Sequence, residues 1–208
     1  PIFGLGCVAG AAGTARAADY LRGHPDHVAL LVSVELCSLT LQREDLSVPN
    51  IIASALFGDG AAALVMEGSR RAARSARAGQ GPRVLDTRSV FYPDTERIMG
   101  WDVMDSGFKV VLSANVPELV KSRARGDVDA FLASHDLRRD DVRWWVAHTG
   151  GPKVLTAIEE SLELGPDALR RSWGSLREHG NLSSASVLFV LGETLDAYEA
   201  KPGDHGLM

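Results

Sequence analysis

The sequence predicts an α/β fold on three observations. Apolar runs of strand length alternate with helix-forming segments through all 208 residues. Several of these runs are nearly continuous, as in strands that are buried between helices. Three glycine-rich turns lead into helices, and these turns hold Cys7, His148 and Asn181. Because sites in open α/β sheets form beyond the carboxyl ends of strands, the three turns also predict where a site lies.

Composition and charge exclude some functional classes. The chain has 45% hydrophobic and 24% charged residues, which are ordinary globular values, and its formal net charge is -5. One basic cluster stands out, and it consists of Arg70, Arg71, Arg74 and Arg77. Nucleic-acid-binding domains usually carry an extended basic face. We therefore expect no nucleic-acid partner.

Cysteine usage and hydropathy predict the compartment. The two cysteines, Cys7 and Cys37, are more typical of a reduced cytosolic protein than of a disulfide scaffold. No apolar run reaches the ~18 residues of a membrane span, and no signal peptide is visible. We expect a cytoplasmic protein with no stable membrane association.

The first half of the chain begins with the cysteine turn. A helix is predicted over residues 8–22, where Gly23 and Pro25 supply the stop signal. The apolar run 27–36 predicts a strand that is buried on both faces, as in a parallel sheet. The remaining elements are a loop, a short helix, a turn and a second buried strand, at 36–50, 51–56, 57–60 and 61–66.

Residues 67–82 interrupt this pattern. They contain mainly Gly, Ser, Arg and Ala and show no apolar periodicity, which indicates a linker. A basic patch for the phosphates of a ligand is the alternative. We predict an amino-terminal half at 1–70, a linker at 71–82 and a carboxy-terminal half at 83–208.

The second half repeats the design of a buried strand, a glycine turn and a helix. Strands are predicted at 84–92, 106–113 and 142–148. Helices are predicted at 116–133, 153–164, 166–178 and 183–198, and two serines at the start of the last one are suited to capping it.

Cys7, His148 and Asn181 carry the chemistry that this arrangement predicts. A thiol at a helix N-terminus lies at the positive end of the helix dipole, which favours the thiolate, and a nearby imidazole lowers its pKa further. Such a thiolate attacks an acyl thioester, while His and Asn donate hydrogen bonds to an oxyanion or enolate. The alternatives are that Cys7 is only a small buried apolar residue and that His148 is a hydrogen-bonded core residue. Surface or capping roles are expected for the other histidines, which are His24, His27, His135, His179 and His205.

Five motifs occur together in a specific order. They are GCVAG at 6–10, VELCS at 34–38, ALFGDGAA at 55–62, WVAHTGGP at 145–152 and GNLSSA at 180–185. As a set they resemble the type III polyketide synthases, the chalcone and stilbene synthase superfamily, and the resemblance runs through essentially the whole chain. The ELCS form resembles bacterial rather than plant members.

The resemblance implies a thiolase-like fold, in which two similar halves build αβαβα layers and two chains form a homodimer. This chain would hold part of the amino-terminal half and most of the carboxy-terminal half. Members of the family have well over a hundred residues before the nucleophile, and a glycine-rich loop with final strands after the point that matches residue 208. The expectation is a chain that is truncated at both ends and inactive alone.

The resemblance also implies roles for individual residues. Cys7 matches the nucleophile, and His148 and Asn181 match the pair that promotes decarboxylation of malonyl-CoA. The matching substrate-binding positions are the aromatic gatekeepers Phe57 and Phe108, the cavity-lining Cys37 and Thr40, and Gly150, Gly151 and Lys153 along the pantetheine arm of CoA.

The implied function is an acyltransferase. It would load an acyl-CoA starter on Cys7 and extend it with malonyl-CoA to a pyrone, a resorcinol or another phenolic product, with no metal and no cofactor beyond the CoA thioesters. One alternative is a condensing enzyme like ketoacyl synthase III, although that family usually follows its histidine with Gln-Ala-Asn, whereas Thr149 and two glycines follow His148 here. Another is a noncatalytic fragment that binds acyl-CoA or dimerises.

Overall fold

The computed structural model describes residues 1–75, 78–197 and 200–208. Arg77 of the basic cluster and the predicted helix end at residue 198 lie outside the described residues. Within these ranges the predicted α/β class is confirmed, because helices and strands are interspersed along the chain.

The described residues of the amino-terminal part form three helices and two strands. They are α1 (Ala9–Gly23), β1 (Val28–Glu35), α2 (Val48–Leu56), β2 (Gly60–Glu67) and α3 (Ser69–Arg74). Short 3-10 turns at Gly6–Val8 and Cys37–Thr40 precede α1 and follow β1. The predicted helices at 8–22 and 51–56 are thus confirmed, with small shifts at their ends.

Four helices and four strands are found among the residues that the structure describes in the carboxy-terminal part. They are β3 (Met99–Met104), β4 (Gly107–Leu112), α4 (Val116–Ala133), β5 (Val142–Trp145), α5 (Pro152–Leu162), α6 (Arg170–His179), α7 (Ser184–Asp196) and β6 (His205–Leu207). The predicted helix 116–133 and the strands near 106–113 and 142–148 are confirmed. Strand β3 was not predicted; it pairs antiparallel with β4, while β5 pairs parallel with β6.

The strands β1 and β2 differ from the prediction of doubly buried parallel strands. They pair antiparallel, from Val28 opposite Glu67 to Glu35 opposite Gly60. Helices α1 and α7 pack against this pair on one face. Side chains of the other face are exposed, and Leu30, Val32 and Val34 each keep more than half of their accessible surface. A nearly continuous apolar run in the sequence therefore does not predict whether one face or both faces of the strand are packed against other elements.

Two predictions for the middle of the chain need correction. The segment 67–82 includes helix α3, and two of its arginines, Arg70 and Arg74, form ion pairs with Asp26. One carboxylate offsets only one of these two positive charges, so the alternative of a phosphate patch stays a prediction. The predicted strand at 84–92 is wrong, since residues 82–92 adopt no regular structure. A strand needs a hydrogen-bonded neighbour, and no described strand pairs with this segment. The division at 71–82 stays a prediction.

Helix α7 lies at the centre of the core. Its residues Val187, Leu188 and Val190 form a buried cluster with Val146, which follows β5. The first turns of α7 are rich in serine and alanine, and they are almost fully buried. Small side chains permit a close approach of α1, where a Cβ atom on Gly10 would lie only 2.2 Å from the Ser184 carbonyl oxygen. The start of α7 is therefore held directly against the start of α1.

Candidate active site

Cys7 lies in the 3-10 turn that leads into α1. Gly6 has φ +49°, a left-handed conformation that glycine adopts at little cost. The Cys7 side chain is partly buried, and its Sγ atom lies 4.0 Å from Asn181 Oδ1. The two residues are far apart in sequence, so this contact depends on the packing of α1 against α7. The predicted convergence of Cys7 and Asn181 is present in the structure.

Asn181 is fully buried in the turn between α6 and α7. Its backbone N–H donates to Leu56 O at 2.8 Å, and its carbonyl oxygen accepts from Gly58 N at 3.0 Å. Phe57 and Asn181 thus form an isolated parallel bridge. Gly180 has φ +74°, and a Cβ atom there would lie 2.8 Å from Leu56 O, so only glycine fits before this asparagine.

The side-chain amide of Asn181 has a defined orientation. Its Oδ1 accepts the backbone N–H of Ser183 at 2.9 Å and faces the Ser186 hydroxyl at 3.4 Å. These contacts leave Nδ2 buried without a hydrogen-bond partner among the described residues. Ser183 has φ +51°, which is unusual for a residue with a side chain. The turn therefore presents a free amide donor next to the thiol.

His148 follows β5 on the turn that leads to α5. Its Nδ1 atom is buried and has no hydrogen-bond partner within the described ranges. Burial lowers the pKa of His148 to about 4, so that the imidazole is neutral at neutral pH. The adjacent Thr149 is fully buried and donates its hydroxyl proton to Gly180 O at 3.2 Å. This bond joins the histidine turn to the asparagine turn, and the alternative of a hydrogen-bonded core histidine loses support.

The acidity of Cys7 differs from the prediction. Burial raises the pKa of the Cys7 thiol, the side chains of Ser183 and Asn181 lower it, and the charge of Glu35 raises it. Burial is the largest of these effects, so the pKa lies above its ordinary value and the thiol is protonated at neutral pH. The free chain therefore favours a thiol over the expected thiolate. The pairing of Cys7 with His148 stays a prediction.

Cys37 and Thr40 occupy the 3-10 turn after β1. The Thr40 hydroxyl donates to Cys37 O at 2.8 Å, and both cysteines are free thiols. Burial raises the pKa of Cys37 to about 11, with a smaller contribution from the charge of Glu35. Because Glu35 acts on both thiols, Cys37 belongs to the same neighbourhood as Cys7.

The remaining predicted residues are spread around this centre. Phe57 is joined to Asn181 through the backbone, and Gly151, with φ +135°, begins α5 next to the histidine turn. Phe108 lies on β4 with 43% of its surface exposed, and Lys153 is exposed in the first turn of α5. Within the described part of the chain, neither of the latter two makes a hydrogen bond or ion pair with Cys7, His148 or Asn181.

Glu35 and Ser184 are site residues that the sequence analysis did not single out. The Glu35 carboxylate, at the end of β1, accepts the Ser184 backbone N–H at 3.3 Å and also its hydroxyl group. The Ser33 hydroxyl lies 2.7 Å from that of Ser184. The sequence did contain a signal for Glu35. It is an acidic residue at the end of an apolar strand, directly before Leu36 and Cys37. A carboxylate in such apolar surroundings is costly unless it has a hydrogen-bond partner.

A cavity of about 280 Å³ borders the asparagine turn. It is lined by Ala55, Leu56, Pro152, Trp173, Leu176, Arg177 and Gly180. The described residues contain no group of three or more His, Cys, Asp or Glu side chains suited to a metal ion. Nor does any helix in the described ranges have the length and apolarity to cross a membrane.

Sequence comparison decides the family. Residues 84–206 match the family described as chalcone and stilbene synthases, C-terminal domain. The chain belongs to this family. The resemblance that the five motifs predicted is thereby confirmed.

Relatives match along the whole chain. It is 53% identical to a 1,3,6,8-tetrahydroxynaphthalene synthase of Streptomyces peucetius subsp. caesius, over 100% of this chain and 54% of that protein. It is 41% identical to a putative chalcone synthase of Bacillus subtilis, over 100% of this chain and 57% of that protein. The chain thus spans about half the length of the curated relatives that it matches.

Solved structures agree with the fold. The crystal structure of 1,3,6,8-tetrahydroxynaphthalene synthase from Streptomyces coelicolor A3(2), described as a bacterial type III polyketide synthase, superposes with a TM-score of 0.88. That match has 35% sequence identity and covers 97% of this chain and 55% of the other. The predicted thiolase-like α/β fold is confirmed for the part of the family's architecture that this chain contains.

Proposed function

We propose that this chain carries the condensing site of a type III polyketide synthase. Cys7 takes an acyl starter from a CoA thioester, and the starter is extended by decarboxylative condensation with malonyl-CoA. Family membership and the relatives named as synthases of aromatic polyketides support this assignment. A product such as a pyrone, a resorcinol or another phenol follows from cyclisation of the extended chain.

The observation that carries the proposal is a pair of unused polar atoms beside a thiol. Asn181 Nδ2 and His148 Nδ1 are buried without partners in the described structure, and Asn181 contacts Cys7. An unmade hydrogen bond of this kind costs about 1–3 kcal/mol, so two of them on adjoining turns are best explained by a ligand that completes them. A thioester carbonyl oxygen is such a ligand.

Starter loading is a transthioesterification. The Cys7 sulfur forms a bond to the acyl carbon, the bond from that carbon to the CoA sulfur breaks, and CoA leaves as the thiol. Because Cys7 is protonated and His148 is neutral, His148 accepts the Cys7 proton in this step and returns it to the leaving sulfur.

Extension uses the same donors. When the malonyl group loses CO2, the electrons of the broken C–C bond pass into the thioester and form an enolate. The Asn181 amide and the N–H group of the neutral His148 imidazole hydrogen-bond the enolate oxygen, which lowers the barrier. The carbanion carbon then attacks the thioester on Cys7 and releases the thiolate. Neither step calls for a metal or a redox cofactor.

The other predicted roles complete the proposal. Phe57 and Phe108 stand between the CoA entrance and the cavity, and Cys37 and Thr40 line the cavity wall. Gly150, Gly151 and Lys153 contact the pantetheine arm, for which the exposed lysine at the start of α5 is accessible. The active protein is a cytoplasmic homodimer. Since the relative at 53% identity is named a 1,3,6,8-tetrahydroxynaphthalene synthase, that compound is the first product to test.

The experiment combines labelled malonyl-CoA with a panel of acyl-CoA starters. We expect CO2 release and a polyketide from the full-length wild-type protein, and an acyl adduct on Cys7 by mass spectrometry. Cys7→Ala abolishes both the adduct and the product, whereas Cys37→Ala, the matched control, keeps the adduct. A single condensation that ends at a β-ketoacyl product supports the ketoacyl synthase alternative. Acyl-CoA binding without CO2 release supports a noncatalytic role.

A further inference from the structure

The hairpin of β3 and β4 is attached to the rest of the chain by few polar contacts. Its two strands pair with each other and with no other described strand. Gln42, in the loop between the 3-10 turn and α2, supplies two of the contacts. Its Nε2 donates to Phe108 O at 3.1 Å, and its Oε1 accepts the hydroxyl proton of Ser106 at 2.8 Å. One primary amide thus holds the turn and the first strand residues of β4.

The loop that carries Gln42 is itself fixed. Asn50, a buried residue of α2, donates from its Nδ2 to Gln42 O at 2.9 Å and to Asp45 O at 2.7 Å. Asp45 also forms an ion pair with Lys109 at 2.8 Å, next to Phe108 in β4. The hairpin is therefore tied to a rigid loop at two points, by the Gln42 amide and by the Asp45 carboxylate.

This loop places the hairpin beside a wall of the proposed cavity. Thr40 precedes Gln42 by two residues, and its hydroxyl is bonded to Cys37 O. Strand β4 packs against both the 3-10 turn of Cys37 and helix α2. The Phe108 ring packs edge-to-face on Trp101 across the hairpin, with ring centroids 6.0 Å apart. The contacts of Gln42 thus set the distance between Phe108 and the turn that holds Cys37 and Thr40.

We propose that Gln42 is a positioning residue that fixes Phe108 against the Cys37–Thr40 turn and thereby limits the size of the acyl chain that the site admits. The proposal rests on the proposed function, because it requires Phe108 to border the path of the substrate. Glutamine is suited to this positioning role. A primary amide offers both a donor for the Phe108 carbonyl and an acceptor for the Ser106 hydroxyl, whereas ionised glutamate only accepts and arginine only donates.

A first experiment tests the attachment without any substrate. Hydrogen exchange is measured for the backbone amides of residues 99–112 in wild type and in Gln42→Ala. The loss of two hydrogen bonds is expected to speed exchange of the hairpin roughly tenfold, with little change in α4 or α7. Arg43→Ala is the matched control, since Arg43 is the exposed neighbour in the same loop, and it leaves exchange unchanged. Equal exchange in Gln42→Ala and wild type overturns the proposal.

A second experiment tests specificity. Starters of increasing chain length are compared by KM and kcat, together with the product distribution. Gln42→Ala is expected to lower the KM for longer starters several-fold relative to short ones, with a smaller effect on kcat. Gln42→Glu keeps the acceptor for the Ser106 hydroxyl, so its KM for longer starters is expected to lie between those of the wild type and Gln42→Ala. This variant keeps the test decisive if Gln42→Ala does not fold.

A double variant distinguishes action through Phe108 from a general loss of structure. In a Phe108→Ala background, Gln42→Ala is expected to change the starter preference no further. Additive effects overturn the proposal, as does faster hairpin exchange without any change in starter preference. If the full-length wild-type protein makes no polyketide at all, the proposed function fails, and with it the claim on chain length. The exchange experiment still decides whether Gln42 holds the hairpin.

Discussion

At the scale of single residues, Cys7 is subject to opposing influences on its acidity. Burial and the charge of Glu35 raise the pKa of the thiol, while the side chains of Ser183 and Asn181 lower it. The net effect keeps the thiol protonated in the free chain. A protonated thiol is a poor nucleophile but resists oxidation and unwanted alkylation. The site therefore depends on a base or on a bound substrate to activate it.

Glu35→Gln is expected to make Cys7 more acidic. The substitution removes a negative charge that disfavours the thiolate, and the remaining amide oxygen can still accept the hydrogen bonds of Ser184. Alkylation of Cys7 by iodoacetamide, followed peptide by peptide as a function of pH, should have its midpoint lowered by roughly 0.5–1 pH unit. Asp59→Asn is the control, because the Asp59 carboxylate accepts hydrogen bonds from the N–H and hydroxyl of Ser38, which adjoins Cys37 rather than Cys7. An unchanged or higher midpoint for Glu35→Gln contradicts this account.

Asn181→Asp is expected to remove decarboxylation while keeping the turn. The retained Oδ1 can still accept the Ser183 N–H, but the donor at Nδ2 becomes an acceptor. Loss of one donor to a developing oxyanion costs roughly 10²–10³ in rate. The measurement is CO2 release from labelled malonyl-CoA, with circular dichroism to verify the fold. A rate within tenfold of the wild type shows that Nδ2 is not the donor.

At the scale of elements, the contact of α1 with α7 builds the site. The two helices begin at the turns that carry Cys7 and Asn181, and they approach most closely where Gly10 meets Ser184. Ser184 is in turn bonded to Glu35 at the end of β1. Three elements from distant parts of the chain therefore fix the distance between the thiol and the amide.

Gly10→Ala is expected to separate these helices. A Cβ atom would lie 2.2 Å from Ser184 O and 2.8 Å from Val187 Cγ1, and the first of these is backbone that cannot turn away. Overpacking of this kind costs about 1–3 kcal/mol or more, which exceeds the gain in helix propensity of about 1 kcal/mol. Urea unfolding provides the measurement.

Gly126→Ala is the matched control for this prediction. Gly126 lies in the interior of α4, where a Cβ atom would meet nothing within 4 Å. The variant is expected to gain about 0.5–1 kcal/mol of stability from helix propensity alone. If Gly10→Ala proves equally stabilising, the close approach of α1 and α7 is not a constraint.

At the scale of the whole molecule, the chain is half of a larger family architecture. It spans 54% of a relative that it matches at 53% identity, and its described residues form three separate two-stranded sheets, of which β1 and β2 pack against α7. The face of β1 that helices α1 and α7 leave uncovered is apolar and exposed, and it carries Leu30, Val32 and Val34. The core around α7 is nevertheless continuous from β2 to β5, so the three turns of the candidate site are held by one packed unit.

The stability of this unit should depend on pH through His148. Burial lowers its pKa to about 4 in the folded state, against about 6.5 in the unfolded chain, so the unfolded state binds more protons between these values. Stability is therefore fully present above pH 6.5 and falls as the pH drops toward 4, by on the order of 3 kcal/mol. Urea unfolding between pH 4 and 7 measures this dependence. His148→Gln, which does not titrate, should flatten the curve, and a curve identical to that of the wild type refutes the assignment.

Much of the fold and the identity of the candidate residues could be predicted from the sequence. Helices such as α4 have amphipathic patterns and local stop signals, which are properties of consecutive residues. The glycines before Cys7 and Asn181 mark turns because their backbone angles are local too. The motif order then indicated the family, and with it the fold.

The remaining features depend on residues that are distant in the chain. Whether β1 pairs parallel or antiparallel, and how many of its faces are covered, is decided by its partner strand and by the helices that pack on it. The hydrogen bonds from Gln42 to Phe108 and Ser106 likewise join residues that are distant in the chain, and no local pattern predicts them.

Cys7 shows the division most clearly. The sequence by itself determined that a cysteine lies at a glycine turn before a helix, in the order of motifs that defines its family. Only the tertiary structure decided that its neighbours are Asn181, Ser183 and Glu35, and that its pKa is raised rather than lowered. The physical reason is that helix dipoles and turn angles are local, whereas desolvation sums over every residue that packing brings near the sulfur.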